Sequence, residues 1–440
     1  MESASPAGPP AQSAEQAEPL ARPAVWRGAD FRYLWFGQTI SQFGSQVTVV
    51  VVPLIAVVSL HATVVEMGYL STAVRLPFLL YLVAGVWVDR ARRRPLLIGT
   101  DLSRGLLLLL IPAAALAHLL SFGLLVGVIF AVMVIGVWFD VAYLSYMPVL
   151  VERDELTAAN TITETSNSVA QVAGNGTGGF LVQLLTAPIA ILVDSLSYFI
   201  SAAFVWRIGV REPAPASERE ALTIRAAGQS IAAGVRYVGR HRILSALALA
   251  IGINNVFWAA EMAQYVFFLD RNLRLSAGLI GLTFAAGGPG AVVGSALAGK
   301  AQRALGVSGA IIGGLATFAV AALAIPLVPD SKVAAVPILI AADFAMMAGG
   351  QVCSINIITS RQTMVPADLL GRVNAGFRFM ALGTAPFGSL LGSLLGGVLG
   401  AREGILAAVG GMFIAPLLLW LSPVRKLRAL PEPDEGEAIA

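Results

Sequence analysis

The chain has 440 residues, 57% of them apolar and only 12% charged, with 29 Lys and Arg against 26 Asp and Glu. Soluble domains carry roughly 45–50% apolar and about 25% charged residues, so a mean hydropathy of +0.78 excludes a string of soluble domains. Cys353 is the single cysteine and His61, His118 and His241 are scattered, which excludes an internal disulfide and any multi-cysteine metal centre and speaks against a zinc site. The isoelectric point near 9.2 would suit a nucleic-acid binder, but an arginine-rich membrane face gives the same value. No nucleic-acid partner is expected.

Residues 1–25 are rich in Ala, Pro, Ser, Glu and Gln and lack the apolar core of a secretory signal. Residues 1–30 are therefore expected to form a disordered cytoplasmic tail. The apolar residues that follow come in blocks of about twenty, the length that spans a bilayer. Twelve such segments are predicted, at about 33–59, 66–88, 96–118, 122–148, 158–185, 187–207, 244–269, 276–299, 307–328, 333–359, 374–399 and 404–422. They divide into an N-terminal half (31–207) and a C-terminal half (244–428), separated by a polar linker (208–243). The linker starts Pro-rich, and its later part, Leu222 to Tyr237, has the amphipathic period of a helix lying on the membrane surface. An acidic tail, 429–440, closes the chain.

Basic residues set the orientation. With the N-terminus in the cytoplasm, the Lys and Arg fall in or beside cytoplasmic segments, apart from Arg271, Arg274, Lys332 and Arg402 outside and Arg75 within the second span. The densest group is in "GVWVDRARRRP" (85–95). As a positive-inside signal its arginines hold that loop in the cytoplasm, which leaves Asp89 unexplained.

An internal repeat relates the two halves. "LVERDELTAAN" (150–160) aligns with "MVPADLLGRVN" (364–374), repeating Val151, Asp154, Leu156 and Asn160 at Val365, Asp368, Leu370 and Asn374. At the same offset Gly174 and Gly178 recur as Gly388 and Gly392. Parallel repeats of six spans with a long middle loop describe a transporter whose substrate site lies near the midplane between bundles.

"GVWVDRARRRPLL" resembles the loop signature G-x-x-x-D-R-x-G-R-R of the major facilitator superfamily, with Gly85, Asp89, Arg90, Arg93 and Arg94 matching and Arg92 standing at the glycine position. "FRYLWFGQTISQFG" (31–44), "DLSRG" (101–105), "DELTAAN" (154–160) and "VPADLLGRVNAGFR" (365–378) are similar to the enterobactin-exporter-like branch, which also holds macrolide and other drug exporters. The resemblance runs from about Phe31 to Lys426. It implies that Asp89 lies near the N-terminal end of the eleventh span, Leu370–Asn374, and holds the cytoplasmic side closed. A helix N-terminus favours a carboxylate, and Arg372 adds a cation there. The corresponding loop of the second half, "GSALAGKAQR" (294–303), has Ala298 at the Asp position, so the latch is single-sided.

"GNGTGG" (174–179) satisfies the dinucleotide pattern G-x-G-x-x-G but sits in an apolar span with no strand before it. The family's fifth helix often carries G-P-x-x-G-G here, a motif linked to export, and Asn175 replaces its proline. "GSLLGSLLGGVLG" (388–400) puts glycines on one helix face at spacing four, a close-packing seam.

Ionisable residues within spans are costly and mark function or pairing. Asp140, Asp194, Glu261 and Asp343 are the candidates; Asp194 reads as an interhelical hydrogen-bond acceptor, and Asp140 as either a solvated or paired acid or a functional one. By resemblance, spans 1, 4, 7 and 10 line the cavity, which places Asp140, Glu261 and Asp343 as proton-coupling candidates. Gln38, Gln42 and Gln46 form a stripe on the first span that serves helix packing or the cavity, and Asn254, Trp258 and Tyr265 share the helix face of Glu261. The expected protein is an all-α polytopic membrane protein of twelve helices in two six-helix bundles. It is expected to export a small organic molecule by proton antiport, as a monomer, in the inner or plasma membrane with both termini cytoplasmic. No cofactor is expected, since no G-x-x-x-x-G-K-[ST] loop occurs and no nucleophile, base and orienter converge. An importer or lysolipid flippase on the same scaffold, or a non-transporting membrane sensor or scaffold, are the alternatives.

The topology is checked by a reporter active only in the cytoplasm. It should give signal after Asp89 and at Ser217 and none at Arg271 or Lys332; signal at Arg271 would reverse the orientation or change the span count.

Overall fold

A computed structural model describes residues 26, 28–88, 91–152, 155–210, 212 and 224–427. Among these the chain is helical and contains no strand. In order the helices are α1 (Ala29–Leu54), α2 (Val64–Arg75), α3 (Tyr81–Val88), α4 (Arg93–Leu116), α5 (Phe122–Leu150), α6 (Leu156–Leu184), α7 (Ala187–Ala190), α8 (Leu192–Trp206), α9 (Ile224–Arg240), α10 (Arg242–Phe267), α11 (Ala277–Leu327), α12 (Lys332–Met364), α13 (Ala367–Leu382), α14 (Ala385–Leu399), α15 (Ala401–Met412) and α16 (Ile414–Leu421). Hydrocarbon offers the backbone no hydrogen-bond partner, which is why the spanning segments are helices.

Helix occupies each of the twelve predicted segments, while nine stretches among the described residues are long and apolar enough to cross a bilayer. The shortfall has local causes. α11 runs 51 residues, more than one crossing needs, and Gly306 at φ 75° divides it into two helices. The second span is cut by Pro77 into α2, a 3-10 segment Leu76–Leu80 and α3, because proline supplies no N–H. α6 is 29 residues long but is diluted by Asn160, Thr161, Thr163, Glu164, Ser166, Asn167 and Ser168. α2 starts at a capping box, with Thr63 N donating to Glu66 Oε2 at 2.7 Å and Glu66 N donating to Thr63 Oγ1 at 3.2 Å.

The first half packs α1 on α6 and α8, and α4 on α5 and α8; the second packs α10 on α14 and α15, and α11 on α12. The repeat in the sequence acquires a physical meaning here. A Cβ on Gly174 or Gly178 would strike Gln46 and Val47 of α1, and one on Gly388 or Gly392 would strike the backbone of Val256 and Ala260 of α10. Equivalent glycines thus let the fifth span of each half lie directly on the first.

Contact between the halves is uneven. α2 meets α14 and α10, and α6 meets α11. A buried cluster drawn from both halves, including Val50, Leu54, Met67, Leu269, Met346 and Ile405, joins them at the end away from the arginine loop. Toward the arginine end each half keeps a core of its own, with Phe31, Leu97, Phe139 and Tyr146 in one and Leu247, Ile311, Cys353 and Phe377 in the other. The halves therefore share a core at one end and keep separate cores at the other, where α9 touches both.

The linker carries a helix where one is expected, over Ile224–Arg240, while Leu222 lies outside the described residues. α9 packs on α13 and also meets α10 and α3. Gly234 lies against the Arg372 carbonyl, Gly376 lies against Gly234 and Val235, and Val238 is buried beside Val373 and Phe377. The two small residues let these helices approach closely.

Gly392→Val should wedge α14 off α10 and lower stability by about 1–3 kcal/mol, read as a lower melting temperature in detergent. Gly85→Ala is the matched control, because no atom lies within 4 Å of its would-be Cβ; it should melt like the parent.

Candidate functional site

A cavity of about 400 Å³ lies between the halves. α1 contributes Ser45, Thr48, Val49 and Val52, α2 contributes Met67, Leu70 and Arg75, and α8 contributes Asp194 and Tyr198. From the second half come Asn255, Trp258, Met262 and Val266 of α10 and Phe284 of α11. The α10 residues recur at spacings of three and four, which turns one face of that helix inward. The wall is apolar and aromatic with a few polar groups, the make-up of a site for a drug-sized organic ligand.

Asp194 is buried and its carboxylate is surrounded by hydroxyl donors. Thr48 Oγ1 donates to Oδ2 at 2.5 Å, while Ser197 and Ser45 donate to Oδ1 at 3.2 and 3.4 Å. The expected interhelical hydrogen bonds of Asp194 are present, and the residue also lines the cavity. Behind it, α4 carries a buried ion pair between Arg104 and Asp101, with the Arg104 guanidinium 4.2 Å from the ring centroids of both Phe139 and Tyr198. The sequence reading counted Arg104 with the cytoplasmic cations and passed over Asp101. The signal was an acid and a base three residues apart inside an apolar run, a spacing that puts them on one helix face.

Glu261, Tyr265 and Asp343 come together across α10 and α12. Tyr265 Oη donates to Asp343 Oδ2 at 2.8 Å. Glu261 is 0% exposed, and neither of its carboxylate oxygens has a hydrogen-bond partner among the described residues. Asp343 and Arg75 are the charged groups whose fields reach it. Asp140 stands apart from this group; it accepts from Tyr81 Oη at 2.5 Å, tying α5 to α3.

Other predicted positions are placed differently. Gln38 is buried and Gln42 and Gln46 are half-buried, but none is among the side chains around the cavity, where Ser45 and Thr48 stand for α1. The Cβ of Gln46 faces Gly174 of α6, so this part of the stripe serves packing. Asn254 is buried with its Oδ1 unpartnered, and its neighbour Asn255 lines the cavity, donating to Ala381 O at 2.7 Å. Trp258 lines the cavity, and its indole N–H has no partner.

The loop signature is only partly within view. Asp89, the expected latch, and Arg90 beside it lie outside the described residues. Gly85 is half-buried. The Arg93 and Arg94 amides, at the N-terminus of α4, donate to Glu212 of the linker at 2.7 and 2.5 Å. The Arg94 side chain donates to the carbonyls of Val205 and Trp206, at 3.3 and 2.5 Å. These arginines thus tie the third span to the sixth within one half. Arg372 is exposed. Among the described residues, no group of three His, Cys, Asp or Glu side chains could hold a metal ion.

Removing Arg104 would leave the Asp101 carboxylate buried without its cation. Arg104→Leu should cost about 3–5 kcal/mol, seen as loss of a folded peak in size-exclusion chromatography. Adding Asp101→Asn to it should restore part of that loss.

Comparison with known proteins agrees with this architecture. Solved structures with the same fold include a bacterial homologue of the human lysosomal transporter Spinster, inward-facing and unoccupied, with 16% identity, a TM-score of 0.69, and coverage of 93% of this chain and 98% of that one. A bacterial homologue of the iron transporter ferroportin, inward-facing, has 16% identity, a TM-score of 0.65, and coverage of 88% and 97%. The nucleoside transporter NupG has 9% identity, a TM-score of 0.70, and coverage of 88% and 97%. In sequence, proteins of Bacillus amyloliquefaciens and Bacillus subtilis carrying the name "Putative bacilysin exporter BacE" are each 26% identical over 282 residues. Each alignment covers 61% of this chain and 66% of the relative, so the chain spans just under two thirds of the length of these curated relatives. Residues 21–435 match the family described as transmembrane secretion effector, and the chain belongs to that family of multi-pass major facilitator transporters.

Proposed function

We propose that this protein is a secondary transporter of twelve spans, 31–207 and 244–428 forming its two six-helix bundles. It would export a small organic molecule by proton-driven alternating access from an inner or plasma membrane, with both termini cytoplasmic. The observation that carries the reading is the cavity between two halves that share a core at one end and keep separate cores at the other. Such a site would be reached from the end with separate cores, and rocking one half against the other would close that end and open the first. The direction rests on the exporter names of the 26% identical relatives and on the motifs resembling the enterobactin-exporter-like branch, whose siderophore, macrolide or drug-like cargo is the substrate class proposed. Asp89, with Arg90 and Arg372, is the proposed latch of the cytoplasmic side.

Glu261 is the proposed coupling acid, with Asp343 and Asp140 behind it. A carboxyl that takes up a proton on one side and gives it back when substrate binds must sit where the charged form is poorly solvated. Glu261 has no exposure, no hydrogen-bond partner, and a second acid, Asp343, whose charge reaches it, so the two would titrate as a pair. The test is export from proteoliposomes under an imposed pH gradient, screened over siderophore and macrolide compounds. Glu261→Gln, which mimics the protonated state, should abolish uphill export while counterflow of the same compound continues. Uphill export by the variant would make Glu261 a structural acid.

A further inference from the structure

Arg75 stands apart from the other arginines inside the fold. Arg104 has Asp101 and two ring faces, Arg361 lies 4.5 Å from the centroid of Phe377, Arg402 bonds Asp330 at 2.8 Å, and Arg271 donates to Val57 O at 2.9 Å. Arg75 is within a spanning segment, at the last residue of α2 before the 3-10 break, and its guanidinium lines the cavity. Its hydrogen bonds are to Ser71, through Oγ at 2.5 Å and the carbonyl at 3.5 Å. Among the described residues no carboxylate comes within ion-pair distance of it. Glu261, whose field reaches Arg75, lies buried off the cavity wall without a hydrogen-bond partner. A cation in this setting is costly unless something matches it.

The balance of donors and acceptors around the cavity points the same way. Its one carboxylate, Asp194, is already supplied with three hydroxyl donors. The Asn255 amide N–H is committed to Ala381. The Trp258 indole N–H, which can only donate, is buried away from the cavity space and has no acceptor among the described residues. The charged side chain that the cavity wall offers without an ion-pair partner among the described residues is therefore Arg75, set among Met67, Leu70, Met262 and Phe284. A guanidinium matches the two oxygens of a carboxylate or phosphate in fork geometry.

We propose that Arg75 is the recognition residue for an oxyanion on the transported molecule, so that the substrate class is an amphipathic organic anion. This deepens the export reading and rests on the same cavity. The anion would supply the counter-charge that Arg75 lacks, and the apolar wall would take the rest of the molecule.

The test is equilibrium binding to the full chain in nanodiscs of neutral lipid, with 1-naphthylacetate as probe, its neutral amide 1-naphthylacetamide as isostere, and 1-naphthyl phosphate to separate phosphate from carboxylate recognition. The wild type should prefer an anionic probe over the amide by roughly tenfold or more. Arg75→Gln should bind acid and amide equally, Arg75→Lys should keep part of the preference, and both should melt near the parent. Equal binding of acid and amide by the wild type, survival of the preference in Arg75→Gln, or no binding of any anionic probe up to its solubility limit would each overturn the assignment. A charge preference at Arg75 in a protein that performs no uphill export would uphold the anion site and overturn only the export reading. Uphill export with no charge preference would do the reverse.

Discussion

Close approach of helix backbones at glycine is the contact on which the remaining structure depends. In hydrocarbon there is no hydrophobic drive to push helices together, so association rests on van der Waals fit and on hydrogen bonds. Gly174 and Gly178 seat α6 on α1, and Gly388 and Gly392 seat α14 on α10. The same device works between the halves, where Gly179 of α6 faces Ala277 and Gly281 of α11, and Gly68 of α2 faces Ser393 of α14. Polar glue is sparse and placed on the same seams, as in Ser393 Oγ donating to Val65 O at 2.8 Å and Ser71 and Ser389 sharing a hydrogen bond at 3.1 Å. Smooth seams of this kind bind without locking, which suits halves that rock.

Charge inside the fold divides into two kinds. In the first half it is paired: Arg104 with Asp101 and two rings, although Asp101 Oδ2 and Arg104 Nε keep no hydrogen-bond partner among the described residues, Asp194 with three hydroxyls, and Asp140 with Tyr81. These groups fix helix positions and have little left to offer a ligand. At the boundary with the second half it is unsatisfied, in Arg75 on the wall and Glu261 behind it. A buried unpaired group costs several kcal/mol in general, so such groups persist where a changing partner, such as a proton or a substrate, completes them in turn. The proposed transport cycle uses that contrast.

The linker links the two themes. Glu212 holds the N-terminus of α4 through two amides, and α9 rests on α13 through Gly234 and Gly376. One segment therefore touches the arginine end of both halves. Its amphipathic period was legible, but its partner was not, since lipid and protein offer an apolar face the same kind of surface.

Hydropathy by itself determined that the apolar segments are helices, because an apolar run of about twenty residues has no stable form in a bilayer but a helix. The repeat by itself determined that the halves are built alike, since glycine at equivalent positions has a single geometric use there. Hydropathy also singled out Glu261 and Asp343, because acids are conspicuous in an apolar run, whereas Tyr265, expected on the cavity wall, is instead the donor to Asp343. What only the tertiary structure decided was which faces meet: that Ser45 and Thr48, instead of Gln38, Gln42 and Gln46, look into the cavity, that Asn255 lines it where Asn254 does not, and that Arg104 is a buried cation with its own acid. These are rotations of a helix about its axis, and neighbouring residues differ by about 100°. A one-dimensional pattern of polarity tells a span from a loop, but the direction each face points is set by the close contacts of the helices around it.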